Sequence, residues 1–311
     1  MRRSAGYTLL VLGFVLIFMA PLFRLYALPR VEKAPTDIYD RTLTIGTGRY
    51  FSPKTLSMTD PRPLQNIAIT KGNPAASTAR VAVVSLFQRT TDVQAGEDIG
   101  YQQDTFAFDR STGLAVHCCG EQPRHQGYTL KLPFGTKKSV VYPFYDITAR
   151  RAFPARYERT ENVAGLETYV FVSHVPDTKI GTIDQFPGFL AGQPDKAAVT
   201  VYEHYTADTT LWVEPVTGAI VDAAQREAQW ATDSQGRFVT ALADTNLFNS
   251  PASVQNVARQ INSKVFLLVL VSVLVPYVAP VLGVVLLVAA FLLLRVRARR
   301  TAPQELAAAA V

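Results

Sequence analysis

Residues 265–294 run for about 30 positions without a charge and then meet Arg295, Arg297, Arg299 and Arg300. A helix rises 1.5 Å per residue and a bilayer core is about 30 Å thick, so this run exceeds one straight crossing and predicts a tilted transmembrane helix. Pro276 and Pro280 inside it predict a kink. A second apolar run, residues 7–28, carries one charge, Arg24, near its far end, where a long side chain can reach the interface. Its apolar stretch is longer than the core of a signal peptide and no A-x-A site follows, so it reads as an anchor that is kept. The arginine cluster marks the following tail as cytoplasmic by the positive-inside rule, and two crossings return Arg2 and Arg3 to the same side. The expected plan is a cytoplasmic tail (1–6), a transmembrane helix (7–28), an extracytoplasmic domain (29–249), a stalk helix (250–264), a second transmembrane helix (265–294) and a basic cytoplasmic tail (295–311). That makes a two-pass plasma-membrane protein with its main domain outside.

A formal net charge of +6 could suggest a nucleic-acid partner. Its distribution removes that reading. Of 31 Lys and Arg, seven arginines (2, 3, 24, 295, 297, 299, 300) lie at the membrane ends. The 24 left in residues 30–264 balance the 24 carboxylates there, Glu305 being the one outside. The outer domain is neutral and has no global electrostatic footprint for nucleic acid. The membrane itself is the partner the composition implies.

Between the spans the pattern is that of strands. Residues 80–93, RVAVVSLFQRTTDV, are rich in β-branched side chains. Residues 128–134 and 139–145 flank Gly135-Thr-Lys-Lys and read as a hairpin, as do 153–160 and 167–175 about Asn162-Val-Ala-Gly. Residues 199–206, 210–214, 219–232 and 237–247 read as a four-strand meander. Gly46-Thr-Gly48 reads as a bulge. TFAFDRSTGLAV (105–116) aligns with TLWVEPVTGAIV (210–221), placing Thr112-Gly113 and Thr217-Gly218 in matching acid-x-x-Thr-Gly turns. Two readings stay open for this likeness: the same turn chemistry used twice, or a duplicated half-domain. Ser250-Pro251 reads as the cap and first position of a helix with Val254, Val257, Ile261 and Val265 on one face. The fold class expected is therefore a mainly β exported domain, an antiparallel sandwich or partly open barrel of about 10–14 strands, flanked by an N-terminal and a C-terminal transmembrane helix.

Signatures of chemistry are missing. There is no G-x-S-x-G, H-E-x-x-H, Walker loop or G-x-G-x-x-G. The four histidines (117, 125, 174, 204) are scattered, so neither a catalytic residue nor a metal ligand or cofactor site is assigned. The aromatics Tyr142, Phe144, Tyr145 and Trp212 suit cross-strand core pairs, and could alternatively line an apolar cavity for a lipid.

Cys118 and Cys119 are the two cysteines of the chain, adjacent in VHCCGEQ. Outside the membrane a bridge is chemically allowed. Neighbouring Cα atoms are only ~3.8 Å apart, shorter than the usual disulfide span, so a Cys118–Cys119 bond closes a strained eight-membered ring and no long loop. Free thiols, intermolecular bridging and metal or redox chemistry remain as alternatives, although an adjacent pair does not match zinc spacing.

The order of features, an N-terminal anchor, FDRSTGLAVHCCG, LKLPFGTKKSVVYPFYDITARRAFPARYERTENVAGLETYVF, VEPVTGAIV, a stalk and a basic-tailed span, resembles the actinobacterial two-span membrane proteins of unknown function, some of them labelled PorA family or porin-like. The resemblance implies a cell-envelope location and brings no catalytic residue with it. The function expected is a non-enzymatic envelope protein whose β domain binds or scaffolds envelope components or partner proteins. The alternative is a carrier or receptor for an envelope lipid or glycolipid. A pore is the third reading, opposed by two apolar helices and by strands expected to fall short of the 9–11 residues of an outer-membrane barrel.

Overall fold

The computed structural model describes residues 2–305; Met1 and the end of the basic tail, residues 306–311, lie outside the described residues. Contacts divide the chain into two units, one made of the terminal segments and the other of Ala34–Asn262. In the first unit α1 (Arg2–Leu22) continues through a π-helical turn, Phe23–Ala27, into the short α2 (Leu28–Val31). At the other end α3 (Pro251–Val269) starts in the second unit and, from Ser263 on, belongs to the first, continuing through a π-helical stretch, Leu270–Val278, into α4 (Ala279–Glu305). Gly6–Ala27 and Val275–Leu294 are long and apolar enough to cross a membrane. Pro276 falls inside the π-helical stretch, where a displaced hydrogen-bond register accommodates the N–H that proline lacks.

α1 and α4 pack against each other through their smallest residues. A Cβ added at Gly13 would sit 2.9 Å from the Gly283 carbonyl oxygen, and one at Gly283 would sit 2.8 Å from that of Gly13. Backbone meets backbone there, which only glycine permits. In lipid this contact stands in for the hydrophobic driving force that apolar helices lack among apolar chains.

The second unit is one antiparallel sheet of eleven strands: β1 (Tyr39–Ser52), β2 (Ser57–Met58), β3 (Arg62–Gly72), β4 (Val81–Asp92), β5 (Glu97–Asp109), β6 (Tyr142–Asp146), β7 (Arg151–Val163), β8 (Leu166–Pro187), β9 (Ala198–Val213), β10 (Ile220–Thr232) and β11 (Phe238–Asn249). Their order is β5-β4-β3-β1-β11-β10-β9-β8-β7-β6, with β2 paired to β1, and the sheet is not closed. The first long strand lies beside the last, with Thr44 opposite Asn249 and Tyr50 opposite Ala243. Alternation along each strand sends one set of side chains inward. Leu64, Phe106, Phe171, Tyr205 and Leu211 are at most 2% exposed and form that inner face. The outward set includes exposed Arg49, Arg89, Gln103, Arg156, Glu158, Arg226, Asp244 and Asn246.

Five sequence expectations change. The strands are 11 to 22 residues long apart from β2 and β6, not shorter than a barrel strand, because polar residues read as breaks lie within continuous ladders. Residues 199–206 and 210–214 are one strand, β9, so the meander has three strands at that point. Ala207-Asp208-Thr209 keep their pairing with β8 and β10 straight through the supposed turn. Residues 128–134 and 139–145 form no hairpin. β6 pairs instead with β7, and the 128–134 segment makes only single bridges. Gly46 and Gly48 are not a bulge, since their register with β3 and β11 is unbroken. They are glycines because a Cβ at Gly46 would lie 2.0 Å from the Asn246 carbonyl oxygen. Lastly, the buried stripe of α3 passes through Val254, Ala258 and Ile261, with Val257 only half-buried. Its start is capped as the sequence suggests. The Ser250 hydroxyl accepts from Ser253 N–H at 3.3 Å, and the Ser253 hydroxyl accepts from Leu43 N–H of β1 at 2.8 Å.

Candidate functional site

The two free edges of the sheet, β5 and β6, are not paired with each other. Residues 114–128 lie between them and touch each edge through single rungs. Val116 N–H donates to Ala107 of β5 at 2.8 Å, and Thr105 and Gln122 exchange bonds of 2.7 and 2.9 Å. Ala115 N–H reaches back to Gly127 at 2.9 Å, and Tyr128 pairs parallel to Phe144 of β6, its carbonyl accepting from Tyr145 N–H at 2.8 Å. An irregular strip thus spans the seam between the two free edges of the unclosed sheet.

The cysteines sit at the apex of this strip. Cys118 and Cys119 are joined in a disulfide with Cα atoms 3.8 Å apart. Cys119 and Gly120 are both left-handed, at φ +61° and +82°, which turns the chain sharply. The corner closes with Glu121 N–H donating to the Cys118 carbonyl at 3.1 Å. The Glu121 carboxylate then gathers two histidines: Oε2 lies 3.0 Å from His117 Nδ1, while Oε1 accepts from His125 N–H at 2.7 Å and lies 3.2 Å from its Nδ1. His125 is fully buried, with Nε2 3.4 Å from Asp104 Oδ2 of β5. Its ring packs on Phe106 of β5 at 4.1 Å and on Tyr145 of β6 at 4.8 Å, so one imidazole pins both edges. Burial, with Asp104 close by, pushes the Tyr145 hydroxyl up to about 12, and that hydroxyl has no hydrogen-bond partner.

A second acidic group lies on the inner face. Asp146, which ends β6, accepts Thr148 and Ala149 N–H on Oδ1 and the Tyr205 hydroxyl on Oδ2 at 3.0 Å. Gln225 Nε2 donates to the same Oδ2 at 3.4 Å and to Thr209 Oγ1 at 3.2 Å. Burial holds the Asp146 carboxyl above its ordinary range despite these donors. Two residues along β10, burial and the neighbouring Asp146 push Glu227 up to about 7. Burial and Asp146 likewise raise the Tyr205 phenol. This set can hold or release a proton near neutrality. Among the described residues, no three His, Cys, Asp or Glu are placed to hold a metal.

The turn residues have a common geometry. Asp109 Oδ1 accepts Ser111 and Thr112 N–H, and Gly113 N–H donates to the Asp109 carbonyl. Glu214 does the same for Val216, Thr217 and Gly218. The Asp92 turn repeats it, with Oδ1 accepting Gln94 and Ala95 N–H and the Asp92 carbonyl accepting Gly96 N–H. Gly113 and Gly218 flank one segment: added Cβ atoms would meet the Lys131 oxygen at 3.0 Å and the Leu132 oxygen at 2.1 Å. The two aligned turns therefore grip residues 131–133 from either side.

The aromatics are dispersed. Tyr142 is buried with Leu132, Ala155, Phe171 and Leu211, and Phe144 packs at the edge of that cluster. Tyr145 belongs to the other core, with Phe106 and Phe108. Trp212 lies on the opposite face of β9 from Leu211 and Val213, where its indole N–H donates to Glu161. Sequence reasoning missed Asp104, Glu121, Asp146 and Glu227, and took His125 only as one of four scattered histidines. Only the recurring acid-x-x-x-Gly spacing offered a signal, and it points to turns rather than to the buried acids.

Comparison with known proteins gives one consistent result. The family model described as Porin PorA matches residues 5–292. A relative, "Porin PorA" of Corynebacterium amycolatum, is 21% identical over 298 residues, covering 72% of this chain and 77% of that protein. With two apolar helices of spanning length and a match over nearly its whole length, the chain is a membrane protein that belongs to the PorA porin family.

Proposed function

We propose that this protein is a non-enzymatic, membrane-anchored module of the cell envelope, whose β domain binds or scaffolds envelope components outside the bilayer. The observation that carries this reading is the distribution of apolar surface. The helices α1 and α4 expose Phe14, Phe18, Leu22, Val281, Val284, Val288 and Phe291, as lipid-facing helices do. The outward face of the sheet exposes mainly arginines, carboxylates and amides, with Phe87, Tyr101, Phe238 and Phe248 as isolated apolar exceptions and no continuous apolar band. A barrel that crosses a membrane on its strands presents an apolar band outward, and this sheet presents charge and stays unclosed. The helices are therefore the membrane element and the sheet is the water-facing one. Both termini lie in the cytoplasm in this reading, following the arginine cluster at 295–300.

Protease shaving of intact cells tests the orientation: fragments of the β domain should be released while tags at both termini stay protected. Crosslinking in cells followed by mild detergent extraction should then capture a discrete envelope partner. Digestion of the tags, or the absence of any crosslinked species, overturns the proposal.

The name of the corynebacterial relative favours a second reading, in which the chain conducts. Reproducible single-channel steps from purified full-length protein in a planar bilayer would establish that reading in place of the first. The third reading, a lipid or glycolipid carrier, is checked by native mass spectrometry of the detergent-extracted chain, which would show a retained lipid.

A further inference from the structure

We propose that the Cys118–Cys119 disulfide is a reversible redox site that locks the seam of the β domain, so that its reduction by an envelope dithiol frees the strip between β5 and β6. A bond between adjacent residues closes almost no loop and constrains little of the unfolded chain. Its effect must be local, and locally it stands at the head of a chain of contacts. The ring fixes the corner in which Cys119 holds a left-handed φ of +61°, a conformation that L side chains rarely adopt. That corner sets Glu121 N–H on the Cys118 carbonyl. Glu121 in turn holds His125 by its backbone and its ring, and His125 is wedged between Phe106 of β5 and Tyr145 of β6. Among the described residues no backbone ladder joins the two edges outside this strip; beyond it they meet through the Tyr145–Phe106–Phe108 core and the Gln102 bond to the Ile147 carbonyl, so the strip is where opening costs fewest backbone hydrogen bonds.

The site is also reachable. Cys119 and Gly120 are exposed, and a Cβ placed on Gly120 would meet nothing within 4 Å. In the step itself a thiolate of the dithiol attacks the sulfur of Cys119, and the Cys118 sulfur leaves as a thiolate. The second thiol of the reductant then resolves the mixed disulfide, releasing Cys119 and becoming a disulfide itself. Two electrons pass to the protein and two protons complete its thiols. Freed of the ring, residues 117–121 can extend, Glu121 withdraws from His125, and the pin on both edges is lost. The device does not depend on which ligand the domain binds.

Hydrogen exchange of detergent-solubilised full-length protein, oxidised and after treatment with dithiothreitol, tests this directly. Peptides covering 104–128 and 142–146 should exchange at least tenfold faster after reduction, while β9 to β11 stay unchanged and protection returns on reoxidation. The Glu121→Gln variant, with its disulfide intact, should show the faster exchange in the same peptides without reductant. Equal exchange in the two redox states overturns the proposal. So does alkylation of both cysteines in the untreated protein, or a disulfide that dithiothreitol leaves intact under native conditions.

Discussion

Glu227 offers the sharpest test of how the inner face is balanced. Burial and the neighbouring Asp146 hold its carboxyl at about 7, against an ordinary value of 4.5. The folded state therefore keeps the proton where the unfolded chain has already lost it. The stability this confers is complete below pH 4.5 and is lost as pH rises through 7. At ~1.4 kcal/mol for each pH step across that window, ionising Glu227 costs the fold roughly 2–3 kcal/mol, allowing for its partial exposure to water. Asp146, raised by burial, adds a loss of the same sign as pH rises above its ordinary range. Trp212 and Trp230 are the chain's two tryptophans and both lie in the sheet, so their fluorescence reports on the β domain alone. Urea unfolding of the detergent-solubilised chain, followed at the tryptophans, should give a falling stability between pH 5 and 8. Glu227→Gln, which keeps the shape and drops the charge, should flatten most of that slope and raise stability at pH 8 by roughly 2 kcal/mol. A slope that is absent, rises with pH, or survives unchanged in the variant would refute the reasoning.

Three further outcomes follow from contacts already described. Gly218→Ala sets a Cβ 2.1 Å from the Leu132 oxygen at φ +71° and should lower stability by roughly 3 kcal/mol, whereas Gly96→Ala, left-handed but in open space, should cost about 1 kcal/mol. Both are read by tryptophan-detected urea unfolding, and equal costs would contradict the grip on residues 131–133. Leu211→Ala removes a side chain 2% exposed at the centre of the Tyr142 core and should cost roughly 2–4 kcal/mol in the same assay. Gly283→Val drives a side chain into the Gly13 carbonyl and Ile17, so a disulfide or crosslink engineered across α1 and α4 should form more slowly than in the parent.

The sequence made the outline of this fold legible because its signals are long. Apolar runs of spanning length and a β-branched domain between them come through any local noise. What stayed hidden depended on pairs distant in sequence. Whether residues 199–214 are two strands or one is decided by the neighbouring ladders of β8 and β10, which no local pattern carries. Gly46 and Gly48 look like a bulge until β11 is laid across them. Thr112-Gly113 and Thr217-Gly218 could be read because a turn is local chemistry, complete within five residues. His125 could not, since its meaning comes from Asp104 and Tyr145, about 20 residues away on either side.

The neighbourhood of β1 and β11 has a consequence for how the chain folds. Thr44 and Asn249 must find each other across a sequence separation of 205. Closing a loop of that size from a free chain costs about 5 kcal/mol of entropy before any contact repays it, and sheets with such distant pairings fold slowly. Here the two ends of the loop continue into helices that dock glycine against glycine. Once α1 and α4 have met, the first and last strands begin their search as near neighbours. A helical hairpin formed first thus shortens the loop that the pairing of β1 with β11 must close.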